Sequence, residues 1–269
     1  MSLRQDHLPR VAFLSHARWM SWGLTRGLAF RNRSLVDACA QEVGGQLDQI
    51  LEPQGGGRAP WLVTSVLNPS ASALSYAPSR SVFTTQERLF QTLSTIQSIQ
   101  SADPDAQIVI LEGSHLSHVQ ASQLRRADAE VLELSSFALI KSAVDSPFKG
   151  LGEALMLMGV AHSQSVLSNG FWKLSARYVL EKRDGGCQKV PPGAFSSPRS
   201  KGNVVTIAFG VGGDAVELVL TGLATCVHQL LRNQSIEVLV TQLVKGLDCG
   251  PFPYRVSGRI AVNGDYIRY

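Results

Sequence analysis

The stretch "TTQERLFQTLSTIQSIQSADPDAQIVILEGS", Thr84 to Ser114, holds a complete helix-to-strand transition. Thr84 and Glu87 have the spacing of a capping box, in which a hydroxyl and a carboxylate reciprocally satisfy orphan N–H groups at a helix start. Leu89, Leu93, Ile96 and Ile99 then fall on one helical face. "ADPDA" ends the helix, and "QIVILEG" (Gln107 to Gly113) follows as a strand whose unbroken apolar run predicts burial on both faces, as in a parallel sheet.

The same grammar extends both ways. Upstream, "WLVTSVL" (Trp61 to Leu67) is a short β-branched, apolar strand. Downstream, Ser117 and Gln120 repeat the capping-box spacing for a shorter helix, and "AEVLEL" (Ala129 to Leu134) is a third strand. Strand, helix, strand, helix, strand at this spacing predicts βαβ crossovers and a Rossmann-like α/β layer with a mostly parallel central sheet flanked by helices.

The second half continues with "KGLGEALMLMGVAHSQ" (Lys149 to Gln164), a helix with Leu151, Leu155 and Met158 on its apolar face. It leads into "FWKLSARYVL" (Phe171 to Leu180), which alternates like one strand. Beyond lie a Gly- and Pro-rich loop from Glu181 to Asn203, a strand "VVTIAFGV", a helix from about Asp214 to Arg232, and a last helix that Ser235 is placed to cap. "RIAVNGDYIRY" closes the chain as a strand with an Asn263-Gly264 turn.

"EPQGGGRAP" (Glu52 to Pro60) is the clearest linker, so residues 1–59 read as a basic arm or added helices plus linker, and 60–269 as a single α/β domain. The formal net charge of +4 is carried by the first 33 residues, where six arginines face Asp6 alone. The body therefore has no net positive charge from which to build a nucleic-acid face. Residues 1–33 also carry Phe13, Trp19, Trp22 and Phe30. That composition suits a solvated arm, a targeting segment or a membrane-surface helix. No apolar run reaches a membrane span, and the expectation is a cytoplasmic protein with, at most, peripheral membrane contact through residues 1–33. Cys39, Cys187, Cys226 and Cys249 form no CxxC pair, which excludes zinc-knuckle and redox motifs.

No GxGxxG, P-loop, GxSxG or HExxH is present. "FGVGGDA" (Phe209 to Ala215) suits either a tight turn or an anion site at a helix start. Glu112 ends the second strand, where open α/β sheets bind ligands; it reads equally as an acceptor for a ribose or base and as an ordinary loop acid. Lys149 and Glu153 stand four apart on a helix start that spends two glycines, Gly150 and Gly152. Close approach of another element or a ligand would offset that cost. On an unbroken strand, Lys173, Ser175 and Arg177 share a face, with the two cations about 13 Å apart. Two fixed cations flanking a small residue suit a diphosphate.

"FWKLSARYVL" is similar to the "FKxSGRYxL" strand of bacterial nucleotide-sugar glycosyltransferases of the GT-A type, associated with lipopolysaccharide or capsule synthesis. The similarity extends to Thr84–Ser114, to "KGLGEALML" and to "VSGRIAVNGDYI". The resemblance implies a GT-A nucleotide-diphospho-sugar transferase fold, a nucleotide-sugar donor and a glycan or lipid-linked acceptor. It implies substrate-binding roles for Glu112, Lys149, Lys173, Ser175, Arg177 and Tyr178. A general base, needed if the enzyme inverts, would come from Glu153, Asp145 or Asp184, with Glu153 and Asp184 foremost. The sequence departs from the pattern in Ala176, where glycine is expected, and in lacking an Asp-x-Asp at this strand to hold a divalent metal. Asp103-Pro104-Asp105 has the spacing but falls at the wrong end of the sheet. Lys173 and Arg177 would then do electrostatically what the metal does elsewhere. A non-catalytic nucleotide- or glycan-binding protein of the same fold is the alternative.

Overall fold

The computed structural model of the chain describes residues 32–51, 58–182, 190–191, 193–200 and 202–269. The elements are α1 (Arg33–Ile50), β1 (Trp61–Ser65), α2 (Thr85–Ala102), β2 (Ile108–Glu112), α3 (His118–Arg125), β3 (Glu130–Glu133), α4 (Ala138–Val144), α5 (Lys149–Met158), α6 (Gln164–Asn169) and β4 (Phe171–Ser175). Then come β5 (Tyr178–Lys182), β6 (Ala194–Ser196), β7 (Arg199–Ser200), β8 (Asn203–Val204), β9 (Ala208–Val211), α7 (Gly213–Thr225), α8 (Val227–Leu230), α9 (Ile236–Leu243), β10 (Asp248–Gly250), β11 (Tyr254–Arg259) and β12 (Tyr266–Arg268).

The central sheet has seven strands in the order β10-β6-β9-β4-β1-β2-β3. Only β9 is antiparallel to its neighbours, so the sheet is mostly parallel and Rossmann-like, as the sequence periodicity predicts. Both capping boxes form, Thr84 with Glu87 and Ser117 with Gln120. Ser235 stands at the start of α9 but makes no side-chain cap; its hydroxyl donates instead to the Glu237 carboxylate at 2.5 Å.

One face of the sheet, with Leu62, Val109, Leu111, Phe171 and Phe209, packs on α1, α4, α5, α7 and α9. The other, with Trp61, Val63, Ile110, Trp172 and Leu174, packs on α2, α3 and a small antiparallel sheet ordered β12-β11-β5. Trp61 stacks on Trp172 at 5.6 Å and meets Tyr254 of β11 edge-on at 5.4 Å, joining the two sheets through aromatic contacts. Val36, Val43 and Leu47 place α1 in the same core as the strands, although it precedes the sequence linker.

The predicted strand Phe171–Leu180 is the main departure. It breaks at Ala176-Arg177: β4 stays in the central sheet, and β5 pairs antiparallel with β11 in the small one. The break is stabilised from outside the strand, because α2 presents hydroxyls to the departing backbone. Thr95 Oγ1 donates to the Tyr178 carbonyl at 2.9 Å, and the Leu180 amide donates to Ser98 Oγ at 3.0 Å. Ala176 keeps a negative φ, and its amide donates to the Thr64 carbonyl at 3.0 Å, so this turn makes no demand for glycine.

Candidate functional site

A cleft holding about 110 Å³ of water-accessible space opens where β1 and β4 end, lined by Thr64 and Ser65 from β1 and Ser175 from β4. The chain runs outward from β1 to β2 and β3 and then returns to place β4 on the other flank of β1. The cleft therefore lies at a topological switch point at the carboxyl ends of the strands, the ligand-binding position of open α/β sheets.

α5 forms one wall. Gly152 lines the cleft, and a Cβ there would stand 2.9 Å from Val144 Cα, so the glycine lets α5 lie against the end of α4. This crossing carries Lys149 and Glu153 to the rim. Arg177 reaches the cleft because the strand breaks: in the turn after β4 its side chain is freed from strand alternation.

Two further cations, unread from the sequence, complete the lining: Arg80 and Arg88. Both are tied to backbone. Arg80 donates to the carbonyls of Ser72 (2.9 Å), Val144 (2.7 Å) and Ser146, clamping the loop after β1 against α4. Arg88 donates from Nε (2.8 Å) and Nη2 to the Val66 carbonyl and from Nη1 to Ser81 Oγ (3.1 Å). The available signal for Arg88 was its helical spacing with Thr92 and Thr95, a polar stripe beside the apolar one, and all three are buried.

Lys173 corrects the expectation drawn from the strand. Its Nζ is fully buried and donates to Glu153, to Ser175 Oγ at 2.7 Å and to the Thr206 carbonyl at 2.5 Å. Burial pulls its pKa down, and the Glu153 carboxylate pulls the other way. Lys173 thus sits beneath the cleft and holds Glu153 in place; it does not form a matched pair with Arg177 across one strand face. Tyr178 is likewise not brought to the cleft: it is buried in the core between α2 and the small sheet, with the Arg177 guanidinium 5.8 Å from its ring centre.

The cations left available are Lys149 and Arg177. Among the described residues neither has an ion-pair partner; Arg177 hydrogen-bonds Tyr178, and its Nε is buried without a hydrogen bond. Packing around the Lys149 ammonium, and then the like charge of Arg177, lower the Lys149 pKa, and the Glu153 and Glu237 carboxylates pull the other way without cancelling them.

Glu112 is neither a loop acid nor a lining group. It is fully buried, and its Oε1 accepts from the amides of Leu67 (3.0 Å) and Ser114 (2.8 Å) and from the Ser114 hydroxyl, tying together the loops that leave β1 and β2. Burial raises its pKa despite these bonds. A raised folded-state value means that the folded protein holds this proton more tightly than the unfolded chain. The resulting stability is full below the ordinary glutamate value of about 4.5 and is lost as pH rises through the raised one. Glu112→Gln is expected to remove that slope, so its urea-unfolding advantage over the unaltered chain should grow between pH 5 and pH 8. An unchanged difference across that range would contradict the assignment.

The remaining candidates fall elsewhere. Asp145 pairs with Lys141 on α4, and Asp184 lies outside the described residues. Asp103 and Asp105 both pair with Arg58, at 3.4 and 3.0 Å, at the amino end of β2 and so across the sheet from the cleft. The Gly212-Gly213 turn is a packing feature: a Cβ on Gly212 would meet the Pro191 carbonyl at 2.1 Å. His115 is held by Glu133 at 2.7 Å, and among the described residues no group of three or more His, Cys, Asp or Glu is gathered for a metal. Among the described residues Glu153 is the one carboxylate lining the cleft, is engaged by Lys173 and faces an excess of cations, so this described lining does not fit a divalent ion. No helix among the described residues is long and apolar enough to cross a membrane. Compared with protein-family models, with curated proteins and with solved structures, the chain matches none.

Proposed function

We propose that the cleft binds the diphosphate of a nucleotide-activated sugar, and that the protein is a glycosyltransferase of GT-A type that passes the sugar to a glycan or lipid-linked acceptor. The observation that carries this reading is the pair of cations, Lys149 and Arg177, that line the switch point between β1 and β4 with no ion-pair partner among the described residues. The ammonium offers a compact charge, and the guanidinium fork offers hydrogen bonds to two oxygens of one phosphate. As the sugar leaves, both would stabilise the charge collecting on the diphosphate. Glu153 would receive the acceptor hydroxyl on Oε2, since Oε1 is occupied by Lys173. No step is routed through a metal.

A second reading, a non-catalytic binder of a nucleotide or glycan, is favoured by one observation: the cleft's carboxylate is already engaged by a buried lysine, which leaves it one oxygen fewer with which to receive an acceptor proton.

Thermal unfolding against UDP-, GDP- and CMP-sugars, with and without manganese, tests binding. Stabilisation by a UDP- or GDP-sugar in the absence of metal is expected, and no response to either, or a response to CMP-sugars alone, would overturn the diphosphate reading. With a donor identified, release of the free nucleotide (UDP, GDP or CMP) in the presence of acceptor separates transferase from binder.

A further inference from the structure

Two buried polar atoms beneath the cleft have no hydrogen bond of normal geometry: Ser65 Oγ and Glu112 Oε2. They belong to residues that pair in register across β1 and β2, at the last position of each strand, and neighbouring strands stand about 4.8 Å apart. Both side chains lie on the sheet face that carries Trp61, Val63, Ile108 and Ile110, by strict alternation along the two strands. Ser65 is only 4% exposed, yet it lines the cleft.

The two carboxyl oxygens of Glu112 have unlike surroundings. Oε1 takes three donors, while Oε2 has none of normal geometry and only the Ser65 hydroxyl interacting with the carboxyl from its side. A buried carboxyl is stabilised by placing its proton on the oxygen that no donor serves. The proton then points at Ser65, and the hydroxyl, having accepted it, directs its own hydrogen to the remaining open side, the cleft. The charged group facing this pair is Arg88, from α2, which in turn faces Arg177, from the turn after β4. Arg88 is spent on Val66 and Ser81.

We propose that Glu112 and Ser65 form a two-step donor relay, from carboxylic acid to hydroxyl to bound phosphate oxygen, which makes Ser65 the floor of the anion subsite whose rim is Lys149 and Arg177. The inference rests on the diphosphate reading above and adds that the anion penetrates to the sheet edge and is recognised there by a neutral donor. Where Glu112 already carries its proton, binding makes and breaks no covalent bond. At pH values where the free protein has lost the Glu112 proton, the anion restores it by proton uptake.

Isothermal titration with inorganic pyrophosphate tests the relay. Ser65→Ala is expected to weaken binding about tenfold or more, the scale of one hydrogen bond to a charged group. Glu112→Gln, whose amide N–H can replace the acid, is expected to bind within about threefold of the unaltered chain and to abolish the proton uptake seen when buffers of different ionisation enthalpy are compared. Both substitutions are small, and unfolding curves report whether each variant is folded. Binding that is unchanged in Ser65→Ala overturns the relay while leaving the Lys149–Arg177 site standing. Unaltered protein that fails to bind pyrophosphate at millimolar concentration overturns the anion reading itself.

Discussion

Replacing Lys173 by alanine is expected to destabilise the protein by about 3–5 kcal/mol, the cost of breaking a buried ion pair from one side. The side chain is fully buried and its Nζ serves three acceptors: Glu153, Ser175 Oγ and the Thr206 carbonyl. Truncation strands all three and opens a cavity against Phe209, over whose ring the ammonium lies at 5.8 Å. Lys173→Met fills most of the volume but leaves the acceptors, so it should fall at the low end of that range. The Glu153 side chain is 18% exposed and recovers some hydration. Combining Lys173→Met with Glu153→Leu removes both charges and is expected to regain most of the loss, because the uncompensated carboxylate goes with its partner. Urea unfolding of the two singles and the double gives the cycle; a cost below about 1 kcal/mol for Lys173→Ala would mean that the pair is not structural. Loss of activity in a Lys173 variant therefore says nothing about ligand contact unless the variant is shown to be folded.

The second large effect is on binding. Lys149→Ala combined with Arg177→Ala is expected to weaken diphosphate affinity about a hundredfold to ten-thousandfold, since each charged hydrogen bond is worth about 1.5–3 kcal/mol and tenfold is about 1.4. Stability should change little, because neither residue has an acidic partner among the described residues and their mutual repulsion is relieved. The same repulsion fixes the pH dependence. Lys149 has a lowered pKa, anion binding needs its ammonium form, and affinity should therefore fall as pH rises through a value below the ordinary lysine one of 10.5. Lys149→Arg should hold affinity to higher pH. A titration series from pH 7 to pH 10 decides this, and identical profiles for the two proteins would remove Lys149 from the site.

Residues differ in how far they could be read before the fold was known. The capping boxes at Thr84 and Ser117, the helical face of α2 and the fully apolar run of β2 depend on groups within a few residues of one another, and they form as the spacing predicts. The glycines of α5 signalled a close approach, and Gly152 makes one. Strand alternation failed at Ala176-Arg177 because no glycine or proline marks the break; the hydroxyls of Thr95 and Ser98, some 80 positions upstream, make the departing backbone stable. The likeness of Lys173 and Arg177 in sequence hid opposite fates. One meets an acid that helix α5 brings over the sheet, and the other is left facing a cleft.

The sequence by itself determined the alternation of strands and helices, the order in which they are laid down and hence a mostly parallel sheet, because local hydrogen bonding and apolar periodicity are properties of neighbouring residues. It also placed Lys149, Glu153, Ser175 and Arg177 as candidates. Only the tertiary structure decided which cations are tied down and which stay available: Arg80 and Arg88 are held on backbone carbonyls and Lys173 on Glu153, while among the described residues Lys149 and Arg177 have no ion-pair partner. The physical reason is that a buried charge takes its meaning from the acceptors within about 3 Å of it, and here those acceptors come from segments that meet only when the sheet has formed.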